Sequence, residues 1–367
     1  MNSMNLCLDL TTLSKGGGIQ VAETFISDLQ SKFSNEFSSV LILTNDNFYF
    51  NDKENFIVLD LNNKLTKNIL INTILINRIF KKYNINIVFT LFGPAKFFTY
   101  LKHIIGFARP HIVYQDSPYF NKLSIIKLLY TKIYYKLLEI LFSLQSDSLI
   151  VETNDVKKRL ELKFLLKNKK IFVVENSINH AFINFNYTKR NVQDKLNILF
   201  VSAYYDHKNF NFFIDLAKKL DNTIYKNSFK ITLTINSNDL SVPDSYSKYF
   251  DFIGKVQLKN LPELYNNNNL VIHPSLLECF SACYIEALYT RTMLIVPKLP
   301  FTISILEDYP FYINNLNIDD TVDIILKKFS TYYSNNTNYS FSKSQVSYFN
   351  SNIRTEKYVN IIKSYYV

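Results

Sequence analysis

Two acidic residues flank a run of apolar and small residues in the second half of the chain. Residues 273–286 read HPSLLECFSACYIE. This pattern predicts a strand that ends at His273, a loop that carries Glu278, and a helix that begins near Ser281 and contains Glu286. A carboxylate such as Glu286 can accept paired hydrogen bonds from vicinal hydroxyls, and Glu278 can hold a sugar in the same way.

The start of the same predicted helix could bind an anion. Backbone amides around Phe280, Ser281 and Ala282 would face a phosphate group, and the positive end of the helix dipole would favour it. A phosphate-binding turn between two sugar-binding acids describes a site for a sugar nucleotide. The alternative is an acid favoured by the helix dipole and an unrelated acid inside the helix, which explains most isolated pairs.

A glycine triplet is the second candidate site. The chain has six glycines, and three of them are Gly16, Gly17 and Gly18, between a predicted strand and a predicted helix. Glycine lets the backbone turn sharply and approach a ligand closely. The dinucleotide pattern GxGxxG and the Walker pattern GxxxxGK[ST] are both absent, which disfavours an NAD enzyme and a P-loop ATPase. Taken alone, the triplet fits a tight strand-to-helix turn equally well.

The elements that would position these residues alternate between strands and helices. Near-continuous apolar runs are typical of parallel strands covered by helices on both faces. The predicted strands are 5–10, 39–44, 56–60, 85–90, 111–115, 148–152 and 171–174 in the first half, and 197–201, 230–235, 252–253, 270–273, 294–296 and 311–313 in the second.

The chain of 367 residues is long enough for two domains. We predict an α/β protein with two Rossmann-like domains, 1–185 and 186–344, separated by a polar stretch. A helix in residues 345–367 lies beyond the second sheet and is expected to pack back toward the first domain.

Composition narrows the class of protein. Hydrophobic residues make up 47% of the chain and charged residues 20%, which excludes a disordered chain. Three cysteines are too few for a disulfide scaffold, and neither a signal peptide nor an uninterrupted apolar run of transmembrane length is evident. These features predict a cytoplasmic protein.

Positive charge is concentrated in the first half. Residues 1–190 contain 24 Lys and Arg against 15 Asp and Glu, while residues 191–367 contain 17 against 16. This asymmetry predicts an anionic partner, either a membrane surface or nucleic acid. On a helical wheel, Lys122, Lys127, Lys132 and Lys136 form no clean face, so the prediction rests mainly on the excess charge of the domain.

The motifs together resemble one enzyme family. Glu278 to Glu286 resembles the E-x7-E motif of family 4 retaining glycosyltransferases, the group 1 type with the GT-B fold, and the preceding Pro-Ser matches as well. Gly16 to Gly18 is similar to the glycine-rich first loop of that family. Residues 173–179 (VVENSIN) resemble its VIPNGVD connector, and residues 201–209 (VSAYYDHKN) resemble its VGRLxxxKG segment.

The resemblance implies a role for each matching residue. Lys208 would bind the donor diphosphate, Glu286 the ribose hydroxyls and Glu278 the transferred sugar. Phe280, Ser281 and Ala282 would meet the phosphates, and Gly17 and Gly18 would lie on the donor side. A lysine is a compact charge that can stabilise a departing diphosphate without a metal. No Asp-x-Asp pair is evident, so the expectation is no metal, no cofactor, and a UDP- or GDP-linked sugar as donor.

Three positions depart from the family pattern. The arginine of the family's Gly-Arg pair aligns with Ala203, so a paired cation is missing. Its Gly-Phe-Gly aligns with Cys279-Phe280-Ser281, where the Ser281 hydroxyl could itself donate to phosphate. Its His-Asp in the first domain aligns with Gln115 and Asp116, which become the candidate residues on the acceptor side.

The resulting prediction is a retaining glycosyltransferase whose two domains face a cleft. It would move a sugar to a hydroxyl of a growing, lipid-linked bacterial surface glycan, either the O-antigen of lipopolysaccharide or a capsule. The basic N-terminal domain would contact the inner face of the cytoplasmic membrane, and no RNA-binding motif supports a nucleic-acid partner. Two alternatives stay open: a sugar-nucleotide epimerase of the GT-B fold, and a non-catalytic membrane-surface protein with a degenerate site.

Overall fold

A computed structural model describes residues 4–13, 16–45, 54–187, 195–314, 316–334 and 349–366. The chain divides into two compact units. Unit 1 comprises Met1–Asp116, Lys122–Ser177 and Phe349–Val367, and unit 2 comprises Ser117–Asn121 and Ile178–Tyr348. The predicted domain boundary at 185 therefore falls eight residues after the end of the central segment of unit 1, and the one at 344 lies outside the described residues.

Strands are interspersed with helices along both units. The strands are β1 (Asn5–Asp9), β2 (Ser39–Thr44), β3 (Phe56–Asp60), β4 (Ile87–Thr90), β5 (Lys102–Gly106), β6 (Ser148–Val151), β7 (Lys170–Val173), β8 (Leu196–Phe200), β9 (Phe229–Leu233), β10 (Phe250–Phe252), β11 (Leu270–Ile272), β12 (Met293–Pro297) and β13 (Tyr312–Ile313). The helices are α1 (Gly17–Lys32), α2 (Ile69–Lys82), α3 (Pro110–Val113), α4 (Pro118–Asn121), α5 (Ile125–Gln145), α6 (Asn154–Glu161), α7 (His180–Ile183), α8 (Asn211–Leu220), α9 (Asp244–Ser247), α10 (Leu261–Asn266), α11 (Ala282–Tyr289), α12 (Pro300–Leu306), α13 (Ile318–Ser334) and α14 (Ser351–Lys363).

The sheet of unit 1 is parallel, in the order β3-β2-β1-β4-β5-β6-β7. Helices cover both of its faces because successive side chains of each strand point to opposite sides. On one face, Phe25 of α1 packs edge-on against Phe89 of β4 and Tyr358 of α14, at ring-centroid distances of 5.9 and 5.2 Å. The C-terminal helix α14 thus completes the core of unit 1.

The opposite face of this sheet is covered by α2 and α5. Phe80 of α2 packs edge-on against Phe97, with ring centroids 5.6 Å apart. The side-chain amide of Gln145, the last residue of α5, donates to the carbonyl oxygens of Ala95 and Phe97 at 2.9 and 3.0 Å. Both helices are therefore anchored to the segment that follows β4.

Unit 2 contains a second parallel sheet, in the order β10-β9-β8-β11-β12-β13. Its strands are almost entirely buried, as strands between two helical layers must be. Phe200 of β8 packs against Phe213 of α8 on one side, and Phe311 packs against Tyr332 of α13. The predicted fold class, two Rossmann-like α/β domains, is confirmed.

One predicted strand is wrong. The sequence predicts a strand at 111–115, but Pro110 begins the short helix α3, where its missing N–H and fixed φ suit the first helical position. The strand at this place in the sheet is β5, Lys102–Gly106, which the sequence did not reveal because a lysine and a histidine open it. His103 is nevertheless buried, with its Nε2 2.8 Å from the hydroxyl of Thr90.

Within the described parts of the chain, no helix combines the length and apolar character needed to cross a bilayer.

Replacing Gly106 by alanine should destabilise the protein. A Cβ at this position would lie 1.8 Å from the carbonyl oxygen of Leu91, a backbone atom that cannot rotate away. We expect the free energy of unfolding to fall by about 3 kcal/mol or more, measured by urea unfolding. Gly17→Ala is the matched control, because no atom lies within 4 Å of its added Cβ and a change within about 0.5 kcal/mol is expected. Equal stability of the two variants would contradict the close approach of Gly106 to the Leu91 carbonyl.

Candidate functional site

Two loops of unit 2 begin side by side where the strand order of its sheet reverses. β8 pairs directly with β11, and from this pair the remaining strands continue in opposite directions. Such a reversal is the usual ligand-binding position of a parallel α/β sheet, at the carboxyl ends of its strands. The loop after β8 carries Lys208 at the end of a short 3-10 helix, and the loop after β11 carries Glu278.

Backbone hydrogen bonds fasten the two loops together. The amide of Leu276 donates to the carbonyl oxygen of His207 at 2.8 Å, and the hydroxyl of Ser275 donates to the same oxygen at 3.3 Å. Ser117, which belongs to unit 2, donates to the carbonyl oxygen of Leu276 at 2.5 Å. The positions of Lys208 and Glu278 are therefore set by the backbone.

Lys208 and Glu278 form a largely buried ion pair. The ammonium of Lys208 contacts Oε1 of Glu278, and the two side chains are 14% and 10% exposed. The same oxygen lies 3.9 Å from Nε2 of His273. The structure thus brings together two of the predicted site residues that are 70 positions apart in sequence.

Two histidines beside this pair carry no charge at neutral pH. Burial, assisted by the positive charge of Lys208, lowers the pKa of His207 to about 3 and that of His273 to about 3. Neither histidine can therefore replace the cation that is missing at Ala203. Nε2 of His273 lies 3.1 Å from the hydroxyl of Ser281, so this hydroxyl, a predicted phosphate donor, already has a partner within the loop.

Helix α11 begins at the end of this loop and carries Glu286. Ser281 is its N-cap residue and makes no side-chain hydrogen bond to the first turn. The start of α11 therefore has no side-chain cap from its N-cap residue, which suits an anion. It comprises Phe280, Ser281 and Ala282. The thiol of Cys283 donates to the carbonyl oxygen of Val201 at 3.1 Å and ties the helix to the end of β8.

The carboxylate of Glu286 is buried and oriented by one tyrosine. The hydroxyl of Tyr265 donates to Oε2 of Glu286 at 2.8 Å. Burial raises the pKa of Glu286 to about 7, although the hydrogen bond from Tyr265 opposes this. Near neutral pH the group is therefore divided between its neutral and charged forms. Sequence reasoning missed Tyr265, because one tyrosine among 26 gives no signal by itself.

Gly17 and Gly18 lie in unit 1, where the strand order reverses between β1 and β4. Gly16 precedes α1 with φ at +80°, a value that favours glycine. A Cβ on Gly18 would lie 3.0 Å from Cδ2 of Leu13, so this turn is tightly packed. Ser14 and Lys15 lie outside the described residues.

The two acceptor-side candidates are exposed residues of unit 1. Gln115 is exposed, and Asp116 accepts a hydrogen bond from the guanidinium of Arg159 at 3.2 Å. The same guanidinium lies 4.6 Å from the ring centroid of Tyr114. The predicted site residues thus fall into two groups, one in each unit.

No cluster of three or more His, Cys, Asp or Glu side chains suited to a metal ion occurs among the described residues.

Glu286→Gln should change how stability depends on pH. The pKa of Glu286 lies above its ordinary 4.5, so between about pH 4.5 and 7 the folded chain keeps a proton that the unfolded chain has lost. Stability contributed by this group therefore falls as pH rises through that window. The neutral amide avoids this loss, and its oxygen can still accept from Tyr265. Measured by urea unfolding, the free energy of unfolding of the variant relative to that of the wild type should increase by up to about 3 kcal/mol from about pH 5 to pH 8.

Glu263→Gln, at an exposed position of α10, is the control for removal of one negative charge. An identical difference between Glu286→Gln and wild type at both pH values would contradict the raised pKa of Glu286.

The chain is similar in sequence to a curated glycosyltransferase and in structure to several solved ones. No family model matches the chain. The O-antigen chain mannosyltransferase RfbU of Salmonella typhimurium is 25% identical over 232 residues, which cover 61% of this chain and 62% of RfbU. The matched region thus spans less than two thirds of the length of RfbU.

Solved glycosyltransferase structures match the chain over nearly its whole length. WaaG, a glycosyltransferase involved in lipopolysaccharide biosynthesis, superposes with a TM-score of 0.71 at 11% identity, covering 97% of this chain and 99% of WaaG. HepE from Anabaena, solved in complex with UDP and glucose, gives a TM-score of 0.66 at 10% identity, covering 99% and 100%. The chain therefore has the GT-B fold, and its resemblance to the group 1 glycosyltransferases of that fold is confirmed.

Proposed function

We propose that the protein is a retaining glycosyltransferase that uses a nucleoside diphosphate sugar. The observation that carries this proposal is the meeting of Lys208, Glu278 and the start of α11 at the strand reversal of unit 2. One cation, one helix start without a side-chain cap and two buried acids in this arrangement match the diphosphate, ribose and sugar of such a donor.

In this proposal, donor binding exchanges the partner of Lys208. The ammonium moves from Glu278 to the diphosphate, where it offsets the negative charge that develops as the diphosphate leaves. Glu278 is then released to accept hydrogen bonds from hydroxyls of the transferred sugar. With His207 and His273 neutral, amides at the start of α11 supply the remaining stabilisation of the diphosphate.

Glu286 would hold the ribose of the donor. An ionised carboxylate accepts from two vicinal hydroxyls, and the Tyr265 bond to Oε2 fixes its orientation. Because burial raises the pKa of Glu286 to about 7, donor affinity should increase as the carboxylate ionises with rising pH.

The acceptor is proposed to be a hydroxyl of a lipid-linked bacterial surface glycan. RfbU is named for the O-antigen chain and WaaG for lipopolysaccharide biosynthesis, and HepE was solved with UDP and glucose. Gly17 and Gly18 would approach the donor, Gln115 and Asp116 would serve the acceptor side, and the basic first half would contact anionic lipid at the inner face of the cytoplasmic membrane.

Lys208→Ala should weaken the response to donor. In a thermal-shift screen of UDP- and GDP-linked sugars, a donor at about 100 times its Kd should add about 2.7 kcal/mol of apparent stability to the wild type. The variant should need at least about tenfold more donor for the same thermal shift, because the diphosphate loses its cation. The shift caused by donor is the quantity to compare, since the substitution also leaves Glu278 without its ion pair.

Lys218→Ala is the matched control, because Lys218 is exposed on α8 and pairs with Asp215 at 3.0 Å. If no donor is bound or transferred by the wild type, and Glu286→Ala leaves the cellular glycan unchanged, the proposed function fails. A sugar altered without any acceptor would instead favour the epimerase.

Gly17→Val should reduce turnover more than stability. No atom lies within 4 Å of a Cβ at this position, so the fold has room for the side chain. A ligand approached by this backbone would be pushed away, and we expect turnover to fall about tenfold or more while Tm changes by about 2 °C or less. Unchanged turnover would remove Gly17 from the site.

A further inference from the structure

Helix α5 of unit 1 exposes a continuous apolar surface, here called the outer face of α5. Nine large hydrophobic side chains of this helix are exposed, and Ile125 and Ile126 reach 86% and 84%. Projected at about 100° per residue, the nine fall within about half of the helix circumference, opposite buried Phe142. They are Ile125, Ile126, Leu129, Tyr130, Ile133, Tyr134, Leu137, Ile140 and Leu144.

The orientation of the helix is fixed from its inner side. Phe142 is fully buried against Phe107, with ring centroids 4.9 Å apart, and Gln145 bonds to the backbone of Ala95. Tyr135 stacks on His111 at 4.2 Å. Rolling α5 to bury its apolar side would break these contacts, so the outer face stays outward.

Lysines border the outer face. Lys132 and Lys136 project near one edge of the apolar arc, Lys127 projects near the other, and all three are exposed. The acidic residue within α5, Glu139, is buried and pairs with Lys136 at 3.1 Å. An apolar strip edged by long cationic side chains is the arrangement of a helix that lies in a membrane interface.

The loop after α6 extends the same kind of surface. Leu162 and Phe164 are 85% and 77% exposed, and the ammonium of Lys167 lies 4.9 Å from the Phe164 ring centroid. The hydroxyl of Ser143, on α5, donates to the carbonyl oxygen of Leu165 at 2.8 Å, which holds this loop beside the helix.

Helix α2, which covers the same face of the sheet, contributes further residues of both kinds. Leu70, Ile71 and Ile74 are exposed along it, and Arg78 and Lys81 project on the same side. Exposed apolar side chains accompanied by lysine or arginine therefore recur over one face of unit 1.

We infer that the outer face of α5 inserts into the headgroup region of an anionic phospholipid bilayer. A second copy of the chain is the weaker candidate, because a twofold contact would set the bordering lysines against one another. Anionic headgroups instead complement these lysines while the acyl boundary accepts the apolar residues. The inference rests on the membrane contact proposed above and makes it specific. That contact depends on the charge of a whole domain, whereas here one defined surface inserts into the bilayer. At about 1.5 Å per residue, the 21 residues of α5 would lie along about 30 Å of bilayer surface.

The test is vesicle flotation of the full-length protein, without any sugar nucleotide. The wild type should bind vesicles of phosphatidylethanolamine and phosphatidylglycerol, and bind phosphatidylcholine vesicles more weakly. The triple variant Ile126→Gln, Ile133→Gln, Ile140→Gln should lower the partition coefficient about tenfold or more. High salt should weaken wild-type binding only in part, because inserted apolar atoms are not screened.

The control is the triple variant Ile224→Gln, Ile253→Gln, Ile303→Gln in unit 2. Its isoleucines are 82%, 44% and 41% exposed, close to the 84%, 55% and 37% of the test positions. This control should bind vesicles like the wild type, and circular dichroism should show both variants folded.

Three outcomes would overturn the inference: a wild type that does not bind anionic vesicles, an α5 variant that binds as the wild type does, or a wild-type dimer that the α5 variant converts to a monomer. The last would make the outer face an interface between copies. Because no donor is present, failure here is distinguishable from failure of the proposed sugar transfer, which the thermal shift with donor measures.

Discussion

The site in unit 2 depends on the direct pairing of β8 with β11. Parallel strands expose their carboxyl ends at one edge, and where the strand order reverses, the loops after two neighbouring strands begin side by side. The hydrogen bond from the Leu276 amide to the His207 carbonyl then fixes the loops to each other. Lys208 and Glu278 meet because the joined loops place their side chains next to each other, and α11 begins at the end of the loop that carries Glu278.

Charge at this site is concentrated in very few groups. Burial and the nearby charge of Lys208 lower the pKa of both His207 and His273, so neither histidine adds positive charge to the site at neutral pH. Glu278 balances the charge of Lys208, while burial raises the pKa of Glu286 to about 7, so that Glu286 is only partly ionised near neutral pH. The desolvation cost of a buried ion pair can exceed the attraction between its charges, so this pair is weak evidence of a contribution to stability. An anionic donor would exchange one buried partner of Lys208 for another.

Helix α5 shows how packing gives different roles to similar side chains. Its sequence is apolar around most of the helix, and its lysines form no single basic face, so periodicity does not distinguish the inner from the outer side. Phe142 and Gln145 settle the matter by contacting residues that precede and follow β5. Leu129, Ile133 and Leu137 are left exposed, although their chemistry is that of core residues.

Sequence alone determined the alternation of strands and helices, the α/β class and the segment from His273 to Glu286, because these depend on local periodicity and motif spacing. It missed β5 and mistook the start of α3 for a strand, since five residues opened by Lys102 and His103 give little local signal. The tertiary structure decided the partner of Ser281, the tyrosine that holds Glu286 and the side of α5 that faces outward. Each of these is set by contact with residues that folding brings together, and such contacts leave no trace in the spacing of neighbouring residues.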